Sequence, residues 1–164
     1  MSSGKQSLSH FAPGDVPDAR PYSFGVVVSS WNREVTTALK KAALDFLKTA
    51  GAEEKNIKLI HVPGSYELTM GAALLAKQQL YDAIICLGCV IQGETRHFDF
   101  ICNAVANGIT EVGLRYHLPV IFGVLTTNDQ QQALERAGGR YGNKGEEAAA
   151  TAVMMAALFD KNSL

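Results

Sequence analysis

Four short apolar runs, "SFGVVVSS" (23–30), "IKLIHV" (57–62), "DAIICLGCVI" (82–91) and "LPVIFGVL" (118–125), are spaced along the chain with a helical pattern after each. A strand with one face in water alternates apolar and polar residues. These runs are nearly continuous in Val, Ile and Leu, which demands burial on both faces. Strands buried on both faces and separated by helices form a parallel sheet with helices on either side. The segment after the first run has apolar residues at 35, 38, 39, 42, 43, 46, 47 and 50, a helical spacing closed by Gly51 as its C-terminal cap. A second helix is read in "YELTMGAALLAKQQL", entered through Pro63, Gly64 and Ser65. A third carries Phe98, Ile101, Cys102, Val105, Ile109, Val112 and Tyr116 on one stripe. A shorter helix, "DQQQALERA", then leads through the link "GGRYGNKG" into "EEAAATAVMMAALF", where Asn143 and Glu146 suggest a reciprocal cap. The expected fold is α/β: a three-layer αβα sandwich around a four-stranded parallel sheet, flavodoxin-like in plan.

With 164 residues, 47% of them hydrophobic and 19% charged, the chain suits one domain with one core. Residues 1–21 hold three prolines and little periodicity, so they are read as an N-terminal arm, and 22–164 as the domain. A net charge of −1 carries no nucleic-acid footprint, and no apolar run is long enough to span a bilayer. The arm lacks the apolar centre of a signal peptide, which makes the cytoplasm the expected location.

The "CLGC" spacing of Cys86 and Cys89 invites a metal or redox reading. Positions three apart in a strand point to opposite faces, whereas such chemistry needs converging sulfurs, so both are expected to be buried as small apolar residues. The histidines at 10, 61, 97 and 117 have no metal-ligand spacing, and no metal site is expected. "AGGRYGNKG" matches neither common phosphate-loop pattern and follows a helix rather than a strand. There is no G-x-S-x-G elbow.

Ligands of open α/β sheets bind beyond the carboxyl ends of the strands. Here those ends read "SSWNRE", "VPGSYE", "IQGETRH" and "LTTND", richer in polar and aromatic groups than a connection requires. In the third, Gly93 is read as permitting a tight turn, with the amides of Glu94 and Thr95 opening a helix whose N-terminus favours an anion. His97 falls in the first turn, where the helix dipole favours neutral imidazole suited to moving a proton. The same residues also describe an ordinary capped helix bearing a surface histidine, and both readings stand. Trp31, the only tryptophan, precedes Asn32, a candidate cap; its ring fits either stacking on a flat ligand or packing on the rim. Glu67 is equally placed for a ligand or for the dipole of the second helix, and Arg136 and Lys144 for a phosphate or for solvent.

Taken together, "SSWNREVT", "VPGSYEL", "LGCVIQGETRHFDFIC", "PVIFGVLTTNDQQQALERAG" and "GNKGEEAA" resemble the 6,7-dimethyl-8-ribityllumazine synthase family over about residues 22–159. The resemblance implies the penultimate step of riboflavin biosynthesis: condensation of 5-amino-6-(D-ribitylamino)uracil with 3,4-dihydroxy-2-butanone 4-phosphate, releasing phosphate and water without metal or organic cofactor. It implies that Trp31 stacks on the pyrimidine, with Asn32 among the binding residues, and that Ser65, Tyr66 and Glu67 hold the ribityl chain. The backbone of Cys89, Val90 and Ile91 would meet the uracil edge, Glu94 and Thr95 would sit at the phosphate with Arg136, and His97 would carry the proton. Phe122, Arg136 and Lys144 would come from a neighbouring subunit. Family members form pentamers, and many pack twelve pentamers into a shell. The uninserted link "RAGGRYGNKG" resembles the shell-forming type, and riboflavin synthase is a candidate partner. Two residues depart from the family pattern: Trp31 stands where Phe is commoner, and Gln92 where Arg or Lys is usual. The alternative function is a non-catalytic flavin- or pteridine-binding shell protein of the same fold. A generic receiver-like signalling domain is disfavoured by the lack of its acidic cluster.

Overall fold

The computed structural model describes residues 11–160. Four strands, β1 (Phe24–Ser29), β2 (Ile57–Val62), β3 (Ala83–Ile91) and β4 (Val120–Thr127), form one sheet in the order β2-β1-β3-β4, all parallel. The helices are α1 (Arg33–Thr49), α2 (Leu68–Ala76), α3 (His97–Tyr116), α4 (Gln130–Glu135) and α5 (Lys144–Phe159). Residues of α1 and α5 pack with Val26, Val28, Ile85 and Leu87 on one face of the sheet, and those of α2 and α3 with Val27, Ile84 and Cys86 on the other. This is the flavodoxin-like αβα sandwich expected from the continuous apolar runs. All six residues of β1 and the first seven of β3 are buried. Burying a side chain such as Leu87 or Ile84 contributes about 1.5–3 kcal/mol, so these two central strands anchor everything at their ends.

The strand order reverses between β1 and β3. The chain leaves β1 for β2 on one side, then returns past β1 to build β3 and β4 on the other. A crevice beyond the carboxyl ends of those two strands is where such sheets place a ligand.

Local signals hold in several places and give way in others. Gly51 ends α1 with φ 110, as a C-terminal cap requires. Cys86 and Cys89 fall on opposite faces and are both buried and unpaired. Burial pushes their thiols up to about 12 and about 11, leaving neither as a ready thiolate. Asn143 caps α5 by accepting the Gly145 N–H at 2.8 Å, but the reciprocal bond from Glu146 is not made. The glycine-rich link is not merely a link: Ala137–Gly139 (β5) and Gly142–Asn143 (β6) pair antiparallel. The stripe of α3 buries Val105, Ile109 and Val112, while Phe100, which the stripe does not include, is 70% exposed.

Residues 1–10, including His10 and the first part of the expected arm, and residues 161–164 lie outside the described residues. From residue 11 onward the segment before β1 lies against the domain. Phe11 and Val16 pack on the core, and the buried Ala19 donates its N–H to the Ala50 carbonyl at 2.9 Å.

Candidate active site

The end of β1 turns sharply. Asn32 has φ 53, a left-handed conformation that Asn tolerates better than most residues. It occupies the cap position of α1, yet its side chain does not cap the helix as expected. Instead Asn32 Nδ2 donates to the Cys89 carbonyl at 2.8 Å. The same oxygen accepts Ser65 Oγ at 3.3 Å from the short 3-10 turn Ser65–Glu67 that follows β2. One carbonyl of β3 therefore ties together the ends of β1, β2 and β3. Further bonds tighten the junction, because Ser30 and Trp31 both donate their N–H to the Pro63 carbonyl at 3.0 Å.

The absence of side chains makes this closeness feasible. A Cβ on Gly88 would lie 2.7 Å from Ser65 Oγ and 2.8 Å from Leu68 Cδ1. One on Gly64 would lie 2.7 Å from the Trp31 ring and 3.1 Å from Glu67 Oε2. The Trp31 indole is thus seated on the Gly64 backbone while 66% of the residue stays exposed. Tyr66 beside it is also exposed. Glu67 spends one oxygen at home, accepting the Gly64 N–H at 2.9 Å.

Both lone pairs of the Cys89 carbonyl, one of the backbone groups expected at the uracil edge, are taken by these two donors. Gln92 donates its N–H toward β4, to the Thr127 carbonyl at 2.8 Å. Backbone groups alternate sides along a strand, so those of Ile91 face the other way. That side lies beyond Leu87, the last β3 residue in register with β1. The Ile91 N–H and C=O therefore point to the crevice side of β3 rather than toward β4.

The third rim segment departs from expectation. The helix begins at His97, not at Glu94, and Arg96 holds the cap position. The Thr95 hydroxyl accepts the His97 N–H at 3.4 Å. Gly93 has neither a left-handed φ nor any neighbour that a Cβ would strike, so the turn does not require glycine. Glu94, Thr95 and His97 are all exposed on this lip.

The remaining expected residues lie elsewhere on the same chain. Phe122 pairs in register with Cys86, three residues before Cys89 along β3, which places it about 10 Å below the rim. With Lys144, Glu147 and Thr151 it lines a depression at the open edge of β4. Lys144 Nζ is 3.1 Å from Glu147 Oε2, so its charge is already paired within the chain. Arg136 follows α4 and rests on the face of Tyr141, a neighbour that the sequence did not reveal. Among the described residues, no three His, Cys, Asp or Glu side chains gather as metal ligands, and no helix is long and apolar enough to cross a membrane.

Comparison with known proteins bears on the same segments. The family model described as 6,7-dimethyl-8-ribityllumazine synthase matches residues 21–160. The chain belongs to the 6,7-dimethyl-8-ribityllumazine synthase family. It is 54% identical to the synthase of that name from Cytophaga hutchinsonii, over 96% of this chain and 98% of the relative. Identity to the Parabacteroides distasonis synthase is 49%, over 94% and 97% respectively. To that of Flavobacterium psychrophilum it is 41%, over 100% and 87%. Membership makes the chain an enzyme of the lumazine synthase type, a transferase of riboflavin biosynthesis. All four strands and the rim built on Cys89 fall inside the matched region.

Proposed function

We propose that this chain condenses 5-amino-6-(D-ribitylamino)uracil with 3,4-dihydroxy-2-butanone 4-phosphate to 6,7-dimethyl-8-ribityllumazine. The observation that carries this reading is the convergence of Asn32 and Ser65 on the Cys89 carbonyl, which assembles three strand ends into one crevice under an exposed indole. In it Trp31 stacks on the pyrimidine, Ser65, Tyr66 and Glu67 take the ribityl hydroxyls, and the Ile91 backbone meets the uracil edge. Glu94 and Thr95 lie at the phosphate together with Arg136. The primary amine adds to the ketone and loses water to form an imine, phosphate is eliminated, and the secondary amine closes the ring with loss of a second water. These steps move protons on and off nitrogen and carbon, and His97 is the carrier. No metal or organic cofactor enters this scheme.

Phe122, Arg136 and Lys144 serve a neighbouring subunit's crevice in this reading. Phe122 lies well below the rim of its own chain, and exposed apolar side chains on α2 (Met70, Leu74), α3 (Phe100, Leu114) and α5 (Met154, Leu158) offer surface for association. The assembly is a pentamer, packed as twelve pentamers into a shell, located in the cytoplasm and with riboflavin synthase as a candidate partner. Residues 1–21 form an arm and 22–164 the synthase domain.

The test is to mix purified protein with both substrates and follow lumazine absorbance. Arg136→Ala should remove most activity, because an unneutralised phosphate loses a strong charge-assisted contact. His97→Ala should slow turnover about 10-fold or more, since general acid–base help typically contributes about 10²–10⁴ and imine chemistry proceeds partly unaided. Wild-type rates in Arg136→Ala would remove the phosphate assignment. A second reading, a flavin- or pteridine-binding shell protein, is favoured by the large open face of Trp31. A yellow preparation without condensation activity would select it.

A further inference from the structure

We propose that Tyr141 is a positioning residue for Arg136 and that Arg140 supplies a second cation to the same phosphate grip. The inference rests on the reading that Arg136 holds the phosphate of the phosphomonoester substrate.

The sequence between α4 and α5 folds back on itself. Gly138 (φ 114) and Gly142 (φ 79) take left-handed conformations that flank the turn of the β5–β6 pair. The return is fixed by backbone bonds: Tyr141 donates its N–H to the Glu135 carbonyl at 2.9 Å, and Lys144 to the Arg136 carbonyl at 2.9 Å. Tyr141 is thereby carried back to the end of α4. The Arg136 guanidinium carbon lies 4.8 Å from the centre of its ring and that of Arg140 lies 5.3 Å away.

Both distances are within the range in which a guanidinium is drawn to the negative face of an aromatic ring. Two like charges on one ring repel each other. Among the described residues, no carboxylate forms an ion pair with either. The shared ring keeps the two guanidinium carbons no more than about 10 Å apart, with neither paired to a carboxylate among the described residues, which suits a dianionic phosphomonoester. The ring also limits the swing of the long Arg136 side chain, lowering the entropy lost when phosphate binds. The attraction belongs to the ring face and not to the hydroxyl, so Phe should replace Tyr while an aliphatic residue of similar bulk should not.

The experiment uses the assembled full-length protein. Steady-state kinetics are run with each substrate varied in turn and with inorganic phosphate as inhibitor. Tyr141→Leu, which keeps apolar bulk in the hairpin, should raise KM for the butanone phosphate and the inhibition constant of phosphate about 2- to 5-fold. KM for the pyrimidine should not move. Tyr141→Phe should restore the phosphate values, and Arg140→Ala should weaken phosphate inhibition. Unchanged phosphate constants in Tyr141→Leu, or equal losses in Tyr141→Leu and Tyr141→Phe, would overturn the role of Tyr141. An unchanged inhibition constant in Arg140→Ala would remove Arg140 from the grip. Arg136→Ala in the same assay separates the two layers: if it leaves phosphate binding intact, the underlying assignment falls. If it alone weakens binding, only the present proposal falls.

Discussion

At the scale of single residues, the Cys89 carbonyl does more to shape the crevice than any ionisable group. It has no charge and no reactivity, yet two side chains from different strand ends donate to it. Asn32→Ala removes the shorter bond and also replaces a residue that tolerates φ 53 with one that does not. It should therefore lower stability by about 1–3 kcal/mol, combining a lost hydrogen bond with backbone strain. Ser65→Ala leaves the backbone unstrained and should cost no more than about 1 kcal/mol. Denaturant unfolding of both variants checks the order, and equal losses would show that the backbone term is absent. What the sequence could say about these residues was uneven. The opposite faces of Cys86 and Cys89 followed from strand alternation alone. The role of Asn32 did not, because an Asn before a helix normally caps it. Only the left-handed backbone turns its amide away toward another strand.

At the scale of elements, regular segments were legible because periodicity records which face is buried. The apolar stripe of α1 and the continuous runs of β1 and β3 each repeat one instruction many times. The β5–β6 pair was not legible, since three residues opposite two leave no period to detect. Phe100 lies outside the stripe of α3 and stands bare; an apolar residue off the periodic face carries no signal of what covers it. The α5 cap was read correctly in its main bond and wrongly in its reciprocal one. Asn143 also reaches back, donating from Nδ2 to the Ala38 carbonyl of α1 at 3.3 Å. Asn143→Ala should consequently cost about 1–2 kcal/mol, toward the upper end for an N-cap because a contact between helices goes with it. Thermal unfolding would show this as a lowered midpoint, and Asn143→Asp, which keeps the capping oxygen, should recover part of it.

At the scale of the whole molecule, the rim was legible as a place but not as a complete site. One chain gathers Trp31, Asn32, Ser65, Glu67 and Ile91 around the crevice between β1 and β3, and leaves Phe122 at the open edge of β4. Spacing and periodicity do not separate residues that meet within a chain from those that meet between chains, because both look like polar or aromatic groups near strand ends. Only the family resemblance assigns Phe122, Arg136 and Lys144 to a neighbour. The shell assembly proposed above is checked by sedimentation velocity. The expected species is close to sixty times the 17.6 kDa chain, and a boundary at five times that mass would confine the assembly to a pentamer.

The seat of the indole on Gly64 has a practical consequence. Trp31 is the chain's single tryptophan, so all of its indole fluorescence is emitted from the mouth of the crevice. On the proposed reading a pyrimidine stacked on Trp31 alters this emission, so binding can be followed without a label under excitation selective for indole over the chain's five tyrosines.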